Sequence, residues 1–176
     1  AMTGRYRRVT GYKASRGCPY DCGFCYNQEF NKGRWRGYST SVIFEDIEFL
    51  KKEYKIDGIR FYDDNFYVDK NRAIKILQGI SIPASSEIRI DMLDEGLAEQ
   101  IKALNCLGLL VGVETGSERV LKLINKQYRK EDLVKGLEII KKYELPVAYG
   151  AILGFPTETK EEVRKTIHLL LSIHNK

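Results

Sequence analysis

The feature that most constrains the fold of this chain is an alternation of short β-rich runs with helical patterns, repeated about every 30 residues. Five runs have strand character, and apolar residues at helical spacing follow them. Successive βα units of this kind form a parallel sheet covered by helices. We predict strands near 9–14, 58–63, 87–91, 108–114 and 147–153, and main helices near 40–54, 70–80, 95–105, 130–143 and from 159 onwards.

Local signals mark the starts of three of these helices. Residues 39–41 (Ser-Thr-Ser) offer candidate caps for the first helix, and Asp69 can cap the second. Thr159 with Glu162 forms a capping box at the last helix. The apolar spacing predicts that Val163, Ile167 and Leu170 form the inner face of that helix.

The chain length decides whether such units can close into a barrel. A closed eight-unit barrel needs about 250 residues, and this chain has 176. We therefore predict an α/β fold: a partial, open TIM-type barrel of about five βα units with a parallel sheet. In such folds the active site lies at the carboxyl ends of the strands. The candidates that follow those ends are residues 18–25, Asp63, Asp64, Asp91, Glu114 and the stretch after Leu153.

Three of the four cysteines, Cys18, Cys22 and Cys25, follow the first predicted strand. Glycine and proline between them oppose a regular helix, so the thiols lie on a loop that can surround one object. Three converging thiolates suit a soft metal centre, either an iron–sulfur cluster or zinc. No histidine is near, and Cys106 is the only other cysteine. Because structural zinc is normally closed by four ligands, the pattern favours a centre with one open position.

The composition is that of an ordinary globular protein, with 43% hydrophobic and 30% charged residues. No apolar run approaches the roughly 20 residues of a membrane span. Residues 1–8 are polar and basic, unlike a signal peptide. Four cysteines in a chain without a secretion signal favour metal or redox chemistry over disulfides. We therefore expect a single cytoplasmic domain.

The net charge is +5, and basic residues cluster on both sides of the cysteine loop. Such a cluster can bind nucleic acid or phosphate, or it can form a solvated rim around an anionic cofactor or substrate. We favour the rim, because acidic residues are nearly as numerous and aromatic residues do not interleave with the basic ones. The cluster comprises Arg5, Arg7, Arg8, Lys13 and Arg16, and then Lys32, Arg34 and Arg36.

The pattern Cys18-x-x-x-Cys22-x-Phe24-Cys25, directly after a first strand, resembles the signature of the radical SAM superfamily. Further segments resemble the same superfamily in chain order, along nearly the whole chain. The similarity is greatest to the branch that includes cobalamin-dependent and oxidative-cyclase-type members. The segments are Arg16-Gly17-Cys18-Pro19, Phe61-x-Asp63-Asp64-Asn65-Phe66, Glu87-Ile88-Arg89, Gly112-Val113-Glu114-Thr115-Gly116-Ser117, Ile124-Asn125-Lys126 and Leu153-Gly154-Phe155-Pro156-x-Glu158-Thr159.

The resemblance implies a [4Fe-4S] cluster bound by Cys18, Cys22 and Cys25, with the fourth iron chelated by S-adenosylmethionine. It implies an enzyme that reductively cleaves S-adenosylmethionine to a 5′-deoxyadenosyl radical, which acts on an unidentified substrate. Reduced flavodoxin or ferredoxin is the implied electron donor, and cobalamin is an implied cofactor of a longer parent protein. Catalytic side chains stay unassigned, because the cofactor carries the chemistry and the protein positions it.

The resemblance also implies contacts to the nucleoside part of S-adenosylmethionine. Phe24 would lie against the adenine, and Ile152 and Gly154 match the fifth-strand motif that packs on it. Glu114 stands where the family places an acceptor for the ribose hydroxyls. The glutamate of the fifth-strand motif falls one position late, at Glu158, which also suits the start of the last helix.

Three residues are implied to bind the methionine part. Asp63 and Asp64 occupy the place of the family's Gly-Gly-Glu motif, which binds the methionine amine. A carboxylate suits an ammonium group, although a turn with a helix cap is an alternative role for this pair. Arg89 is the candidate partner of the methionine carboxylate, provided that its side chain points into the site.

The chain departs from the family in its number of units. Superfamily cores usually have six βα units, whereas five are predicted here, and neither a cobalamin domain nor a C-terminal accessory domain is recognised. We therefore interpret residues 1–176 as a truncated radical SAM core, with an open sheet edge that invites self-association. Alternatives are an RNA methylthiotransferase-type core, a fragment that binds cluster and S-adenosylmethionine without turnover, and a zinc scaffold. The substrate, small molecule or RNA, stays open.

Overall fold

A computed structural model of the chain describes residues 8–104 and 106–174, the last of them by its backbone. Arg5 and Arg7 of the basic cluster lie outside the described residues, as does Asn105, the predicted end of one helix. In chain order the elements are β1 (Val9–Tyr12), β2 (Ser15–Arg16), α1 (Asn27–Asn31), β3 (Arg36–Gly37), α2 (Thr40–Tyr54), β4 (Gly58–Phe61), α3 (Lys70–Gly79), β5 (Ala84–Arg89), a 3₁₀ turn (Ile90–Met92), α4 (Glu95–Ala103), β6 (Gly108–Glu114), α5 (Glu118–Leu123), α6 (Lys130–Lys142), β7 (Val147–Ala151) and α7 (Lys160–His174).

The centre of the molecule is a five-stranded sheet in the order β1-β4-β5-β6-β7. All neighbouring strands are parallel, with Val9 opposite Gly58 at one end of the sheet and Leu109 opposite Val147 at the other. Parallel neighbours need a crossover, and helices supply it between each pair. Within the described chain β1 and β7 do not pair, so the sheet stays open. The predicted α/β fold with an open parallel sheet is confirmed.

Strand β5 begins earlier and ends earlier than predicted, at Ala84–Arg89 instead of 87–91. Its first half is polar in sequence, yet Ser86 is buried and its Oγ lies 3.1 Å from the hydroxyl of the buried Tyr67. A buried polar pair of this kind has no hydrophobic signature. The chain then turns through Ile90–Met92, which leaves Arg89 at the end of the strand, facing the site.

A small antiparallel ribbon, β2 with β3, was not predicted. Arg16 lies opposite Arg36 in this ribbon, and α1 lies between its two strands in sequence. Strands of two residues and a helix of five are too short to show a hydrophobic period. The ribbon and α1 flank the cysteine loop on both sides, so they matter to the site.

The predicted starts of three helices are confirmed. Ser39 caps α2 and Asp69 caps α3, because each side chain accepts a hydrogen bond from the backbone N–H three residues later. A capping box opens α7: Thr159 N donates to Glu162 Oε2 at 2.9 Å, and Glu162 N donates to Thr159 Oγ1 at 3.3 Å.

The predicted inner face of α7 is wrong at Ile167, which is 41% exposed. The buried residues of this helix include Glu162 and Thr166 instead. Thr166 Oγ1 accepts a hydrogen bond from Gly116 N at 2.9 Å and lies 3.1 Å from Thr115 Oγ1. The helix therefore packs on a polar loop after β6, and apolar spacing cannot reveal a polar contact face.

The apolar core lies between the sheet and the surrounding helices. Ile43 and Ile47 of α2 are fully buried there, and the rings of Phe61 and Phe66 stack with centroids 4.5 Å apart. This core fixes the strands whose carboxyl ends carry the site. None of the helices that the structure describes has the length and apolar content to cross a membrane.

Candidate active site

The cysteine loop connects β2 to α1 and lies against residues that follow the sheet strands. Cys18 and Cys22 are buried and Cys25 is half-buried, and all three are free thiols. Gly17 begins the loop with φ 84°, and a Cβ there would collide with the carbonyl oxygen of Arg34. Glycine is therefore required at this position by both backbone conformation and space.

Hydrogen-bond donors point at two of the three sulfurs. Arg89 Nη1 donates to Cys22 Sγ at 3.3 Å, and Asn27 Nδ2 donates to Cys25 Sγ at 3.7 Å. Burial raises the pKa of the Cys18 thiol, although the Arg89 charge acts in the opposite direction. In the described part of the chain, no group of three or more His, Cys, Asp or Glu side chains is arranged around a single metal ion.

Arg89 joins the cysteine loop to two other parts of the site. Its Nε and Nη2 donate to Asp91 at 3.1 Å each, and Nη2 also donates to the carbonyl oxygen of Lys126 at 2.7 Å. Its guanidinium carbon lies 3.8 Å from the centroid of the Tyr20 ring. With the bond to Cys22, these contacts use four of the five guanidinium N–H groups. Arg89 thus points into the site, with one N–H left for another acceptor.

The turn after α5 packs directly on the cysteine loop. The carbonyl oxygen of Ile124 accepts a hydrogen bond from Gly23 N at 2.7 Å, and Asn125 Nδ2 donates to the carbonyl oxygen of Asp21 at 2.7 Å. The Ile124-Asn125-Lys126 motif was visible in the sequence, but nothing in the sequence assigned it a role. In the structure it holds the loop through the Ile124 carbonyl and the Asn125 side-chain amide, and both bond to backbone atoms of the loop, which leave no signature in the sequence.

Glu114 and Lys126 form a buried ion pair, with Nζ 2.6 Å from Oε1 and side chains 11% and 5% exposed. Glu114 has φ 61°, an uncommon conformation for a residue other than glycine. A Cβ at Gly112 would collide with its carboxylate, so that glycine leaves the space for the pair. The Lys126 ammonium also lies 5.4 Å from the centroid of the Phe24 ring. The predicted ribose acceptor is therefore engaged by a lysine that the sequence interpretation had not assigned.

Asp63 and Asp64 follow β4 and tie the start of the cysteine loop to the sheet. Asp63 is buried and accepts hydrogen bonds from Ala14 N at 3.1 Å and from the Ser15 hydroxyl. Burial raises the pKa of Asp63 against the effect of these hydrogen bonds. Burial acts the same way on Asp64, but hydrogen bonds from Tyr26 and Gly17 outweigh it and lower the pKa of Asp64.

The residues predicted to contact adenine lie on one side of the loop. The Phe24 side chain is 39% exposed, and its ring centroid lies 5.8 Å from the ring centroid of Phe155. Ile152 is 36% exposed, and its N–H donates to the carbonyl oxygen of Glu114 at 2.9 Å. Gly154 has φ 88° and open space around it. Within the described structure, Glu158 Oε1 is buried without a hydrogen-bond partner. An exposed ring, open space and an unsatisfied carboxylate oxygen are features of a ligand site.

The family model of the radical SAM superfamily matches residues 12–170, nearly the whole chain. The chain belongs to the radical SAM superfamily. This superfamily consists of enzymes, and the prediction of a radical SAM core from the cysteine signature and the strand ends is confirmed.

Two relatives illustrate the range of radical SAM proteins that this core is similar to. It is 36% identical over 159 residues to an uncharacterized methyltransferase of Pyrococcus horikoshii, covering 87% of this chain and 34% of the relative. It is 30% identical over 174 residues to the tRNA-2-methylthio-N(6)-dimethylallyladenosine synthase of Thermotoga petrophila, covering 88% of this chain and 38% of the relative. The chain thus spans little more than a third of the length of these relatives.

Solved structures share the fold of this radical SAM core at low sequence identity. The radical S-adenosylmethionine methyltransferase TsrM from Kitasatospora setae, solved with cobalamin and a [4Fe-4S] cluster bound, has a TM-score of 0.81 at 18% identity. The match covers 94% of this chain and 32% of TsrM. The cobalamin-dependent enzyme OxsB has a TM-score of 0.75 at 19% identity, covering 91% of this chain and 26% of OxsB. Proteins that share the fold therefore include cobalamin-associated members, the branch to which the sequence pointed.

Proposed function

We propose that this core binds a [4Fe-4S] cluster through Cys18, Cys22 and Cys25 and binds S-adenosylmethionine at the remaining iron. The observation that carries the proposal is the cysteine loop itself: three free thiols on one loop, with donors from Arg89 and Asn27 on two of the sulfurs. When bound, the cluster supplies the electron that cleaves S-adenosylmethionine to methionine and a 5′-deoxyadenosyl radical. The reaction that follows is a methyl or methylthio transfer, or another radical reaction, on a substrate not yet identified.

The chemistry of the donor set fits a cluster better than a single ion. In a [4Fe-4S] cluster each cysteine binds a different iron, so the sulfur ligands surround the cluster and need not converge on one metal ion. The loop offers three free thiols, Cys18, Cys22 and Cys25, one for each of three irons. Three ligands also leave one iron open, whereas structural zinc is closed by four.

The protein's own residues orient the ligands and balance their charge. Arg89 holds Cys22 by a hydrogen bond and is itself held by Asp91 and by the Lys126 carbonyl. The guanidinium places a permanent positive charge beside the Cys22 sulfur, and this charge opposes the rise in the pKa of the Cys18 thiol that burial causes. The hydrogen bonds of the turn after α5 keep the loop against the sheet and so help to position its ligands.

The side of the loop with Phe24 is our proposed S-adenosylmethionine site. Phe24, Ile152 and Gly154 would line the adenine, and the free Oε1 of Glu158 would accept a hydrogen bond from it. The Glu114–Lys126 pair would contact the ribose or the methionine carboxylate by exchanging partners. The methionine part would be bound by Asp63, Asp64 and Arg89. These side chains already form hydrogen bonds within the protein, and they would bind methionine through the lone pairs and N–H groups that those bonds do not use.

The wider context is also a proposal. The similarity to a tRNA methylthio synthase supports RNA as a second candidate substrate, beside a small molecule for a cobalamin-associated methyltransferase. We propose residues 1–176 as the core part of a longer protein, in which cobalamin is bound elsewhere.

The electron donor would be a reduced flavodoxin or ferredoxin, and the free edge of β7 would allow self-association. Four free cysteines favour the reducing cytoplasm.

Anaerobic reconstitution with iron and sulfide tests the proposal. We expect about four irons per chain and, with dithionite and S-adenosylmethionine, release of 5′-deoxyadenosine and methionine. Replacing Cys18, Cys22 or Cys25 by alanine should abolish cluster binding, whereas Cys106→Ala should preserve it as the matched control. A cluster without any cleavage would favour the binding fragment, and one zinc with no iron would establish the zinc scaffold.

A further inference from the structure

A surface beside the cysteine loop exposes two aromatic rings that the fold does not use. Phe30 on α1 is 82% exposed, the highest value for a large hydrophobic residue in the described chain, and Tyr26 is 54% exposed. Their rings meet edge to face with centroids 5.7 Å apart. A phenylalanine this exposed gains nothing in folding, and clustered exposed aromatic rings mark interaction sites.

Three arginines lie on the ribbon and its connection, and two of them bond to Asn31, the residue after Phe30. Arg16 and Arg36 face each other across β2 and β3, and Arg34 precedes β3. Their side-chain partners are neutral where the structure gives them: Arg16 Nε donates to the Tyr38 hydroxyl at 2.9 Å and Arg36 Nη2 to Asn31 Oδ1 at 2.8 Å. In the described ranges none of the three arginines forms an ion pair, so their guanidinium groups are available to a partner. We call the surface formed by Arg16, Tyr26, Phe30, Arg34 and Arg36 the α1–ribbon face.

The α1–ribbon face is continuous with the cysteine loop. Arg16 precedes Cys18 by two residues, so their Cα atoms are at most about 7 Å apart. Helix α1 begins two residues after Cys25, and its first residue, Asn27, donates to the Cys25 sulfur. Arg34 N donates to the carbonyl oxygen of Asn31 at 2.9 Å, which joins the ribbon to α1. A protein bound on this face would therefore lie beside the ligand sulfurs.

We propose that the α1–ribbon face is the docking site of a small acidic electron-carrier protein of the flavodoxin kind. The inference rests on the proposed function, because the cluster needs one electron for each cleavage. The reduced flavin of the carrier, an anionic hydroquinone, loses one electron and no proton, and the cluster gains that electron. The arginines would steer an acidic partner, and the two rings would form the apolar centre of a small, transient interface.

Charge alone would also suit RNA, but the arrangement favours a protein. Single-stranded RNA sites interleave aromatic faces with basic residues along a groove. Here the two rings lie together, one on α1 and one at the residue before it, and the Tyr26 hydroxyl is held by Asp64. The arginines lie apart, on the ribbon and its connection. An apolar centre with a charged rim is the anatomy of a protein interface.

The test uses the reconstituted chain and a bacterial flavodoxin as the probe, in anaerobic stopped-flow. We expect reduction of the cluster by photoreduced flavodoxin to slow as salt is added, and to slow at least about tenfold in Arg34→Glu/Arg36→Glu at low ionic strength. Reduction by dithionite should be unchanged in that variant. Lys52→Glu/Lys75→Glu carries the same charge change on α2 and α3 and should stay within about twofold of the parent chain.

Binding of oxidised flavodoxin to the chain without a cluster provides a second readout. Arg34→Glu/Arg36→Glu should weaken it, and Phe30→Ser should weaken it without changing its salt dependence, because no charge is lost. Equal binding by Arg34→Glu/Arg36→Glu and the parent chain would overturn the proposal, as would loss of binding to a single-stranded RNA oligonucleotide with flavodoxin unaffected. Failure to assemble a cluster that dithionite can reduce would instead count against the proposed function alone.

Discussion

The buried ion pair between Lys126 and Glu114 offers a direct test of how this site is held. Lys126→Met keeps the length of the side chain and removes its charge. The carbonyl of residue 126 still accepts from Arg89, so the turn after α5 keeps its backbone contacts. The Glu114 side chain, which is 11% exposed, is then left buried without its cationic partner.

The expected loss of stability follows from two limits. Removing one partner of a buried pair costs about 3–5 kcal/mol. The variant can avoid the cost of a buried charge by taking up a proton, so the free energy of protonation is an upper limit on the loss. For a carboxyl of ordinary glutamate pKa, protonation costs about 3.7 kcal/mol at pH 7 but only about 1 kcal/mol at pH 5. We therefore expect Lys126→Met to lose about 3–4 kcal/mol of unfolding free energy at pH 7, shrinking to about 1 kcal/mol at pH 5.

Urea unfolding of the cluster-free chain, followed by circular dichroism at both pH values, measures this loss. Lys122→Met is the matched control, because it removes a lysine from an exposed pair with Glu118, and such pairs contribute little. The double variant Glu114→Gln/Lys126→Met should recover much of the loss, since no charge is left buried. A loss at pH 7 no larger than that of Lys122→Met, or an equal loss at both pH values, would refute the reasoning.

Three further predictions follow from contacts around the site. Arg89→Lys removes the planar donor set that reaches Cys22, so the reduction potential of the bound cluster should become more negative; an EPR-monitored redox titration that finds it unchanged would contradict this. Hydrogen bonds, first of all from Arg119, lower the pKa of Glu162. The ionised Glu162 therefore stabilises the folded chain above the ordinary glutamate pKa, and this contribution is lost as the pH falls. Glu162→Gln should therefore flatten the fall in melting temperature below about pH 4.5, and a curve parallel to that of the parent chain would exclude it. Burial raises the pKa of Cys106 to about 11, so iodoacetamide should label it at least roughly tenfold more slowly in the folded chain than in urea; equal rates would show an accessible thiol.

The parts of the fold that could be predicted are those with a repeating or local signal. Strand β6 was predicted with its observed limits, because a strand buried on both faces is apolar along its length. Ser39 and Asp69 were identified as caps because capping needs only a side chain and a backbone N–H three residues away. The open barrel followed from the number of such units and the chain length.

The parts that could not be predicted depend on contacts between distant polar groups. The start of β5 is hidden because its buried serine bonds to a tyrosine, and the buried face of α7 is hidden because Thr166 binds the loop after β6. The role of Lys126 needs a partner 12 residues earlier in the chain and a strand bend at Glu114. Neither apolar spacing nor local propensity contains this information.

The same reasoning explains why the cysteine loop looked like an incomplete site when only its spacing was considered. Its contacts span large sequence distances: Gly17 to Asp64 spans 47 residues, Cys22 to Arg89 spans 67, and Asn125 to Asp21 spans 104. Contacts of such separation form only once the sheet brings the strand ends together, because closing loops of that length costs conformational entropy. The positions of the thiols are therefore set by the folded sheet and not by the local sequence. It follows that the shape of the cysteine loop depends on residues that follow the strand ends, Asp64 and Arg89 among them, as much as on the sequence of the loop itself.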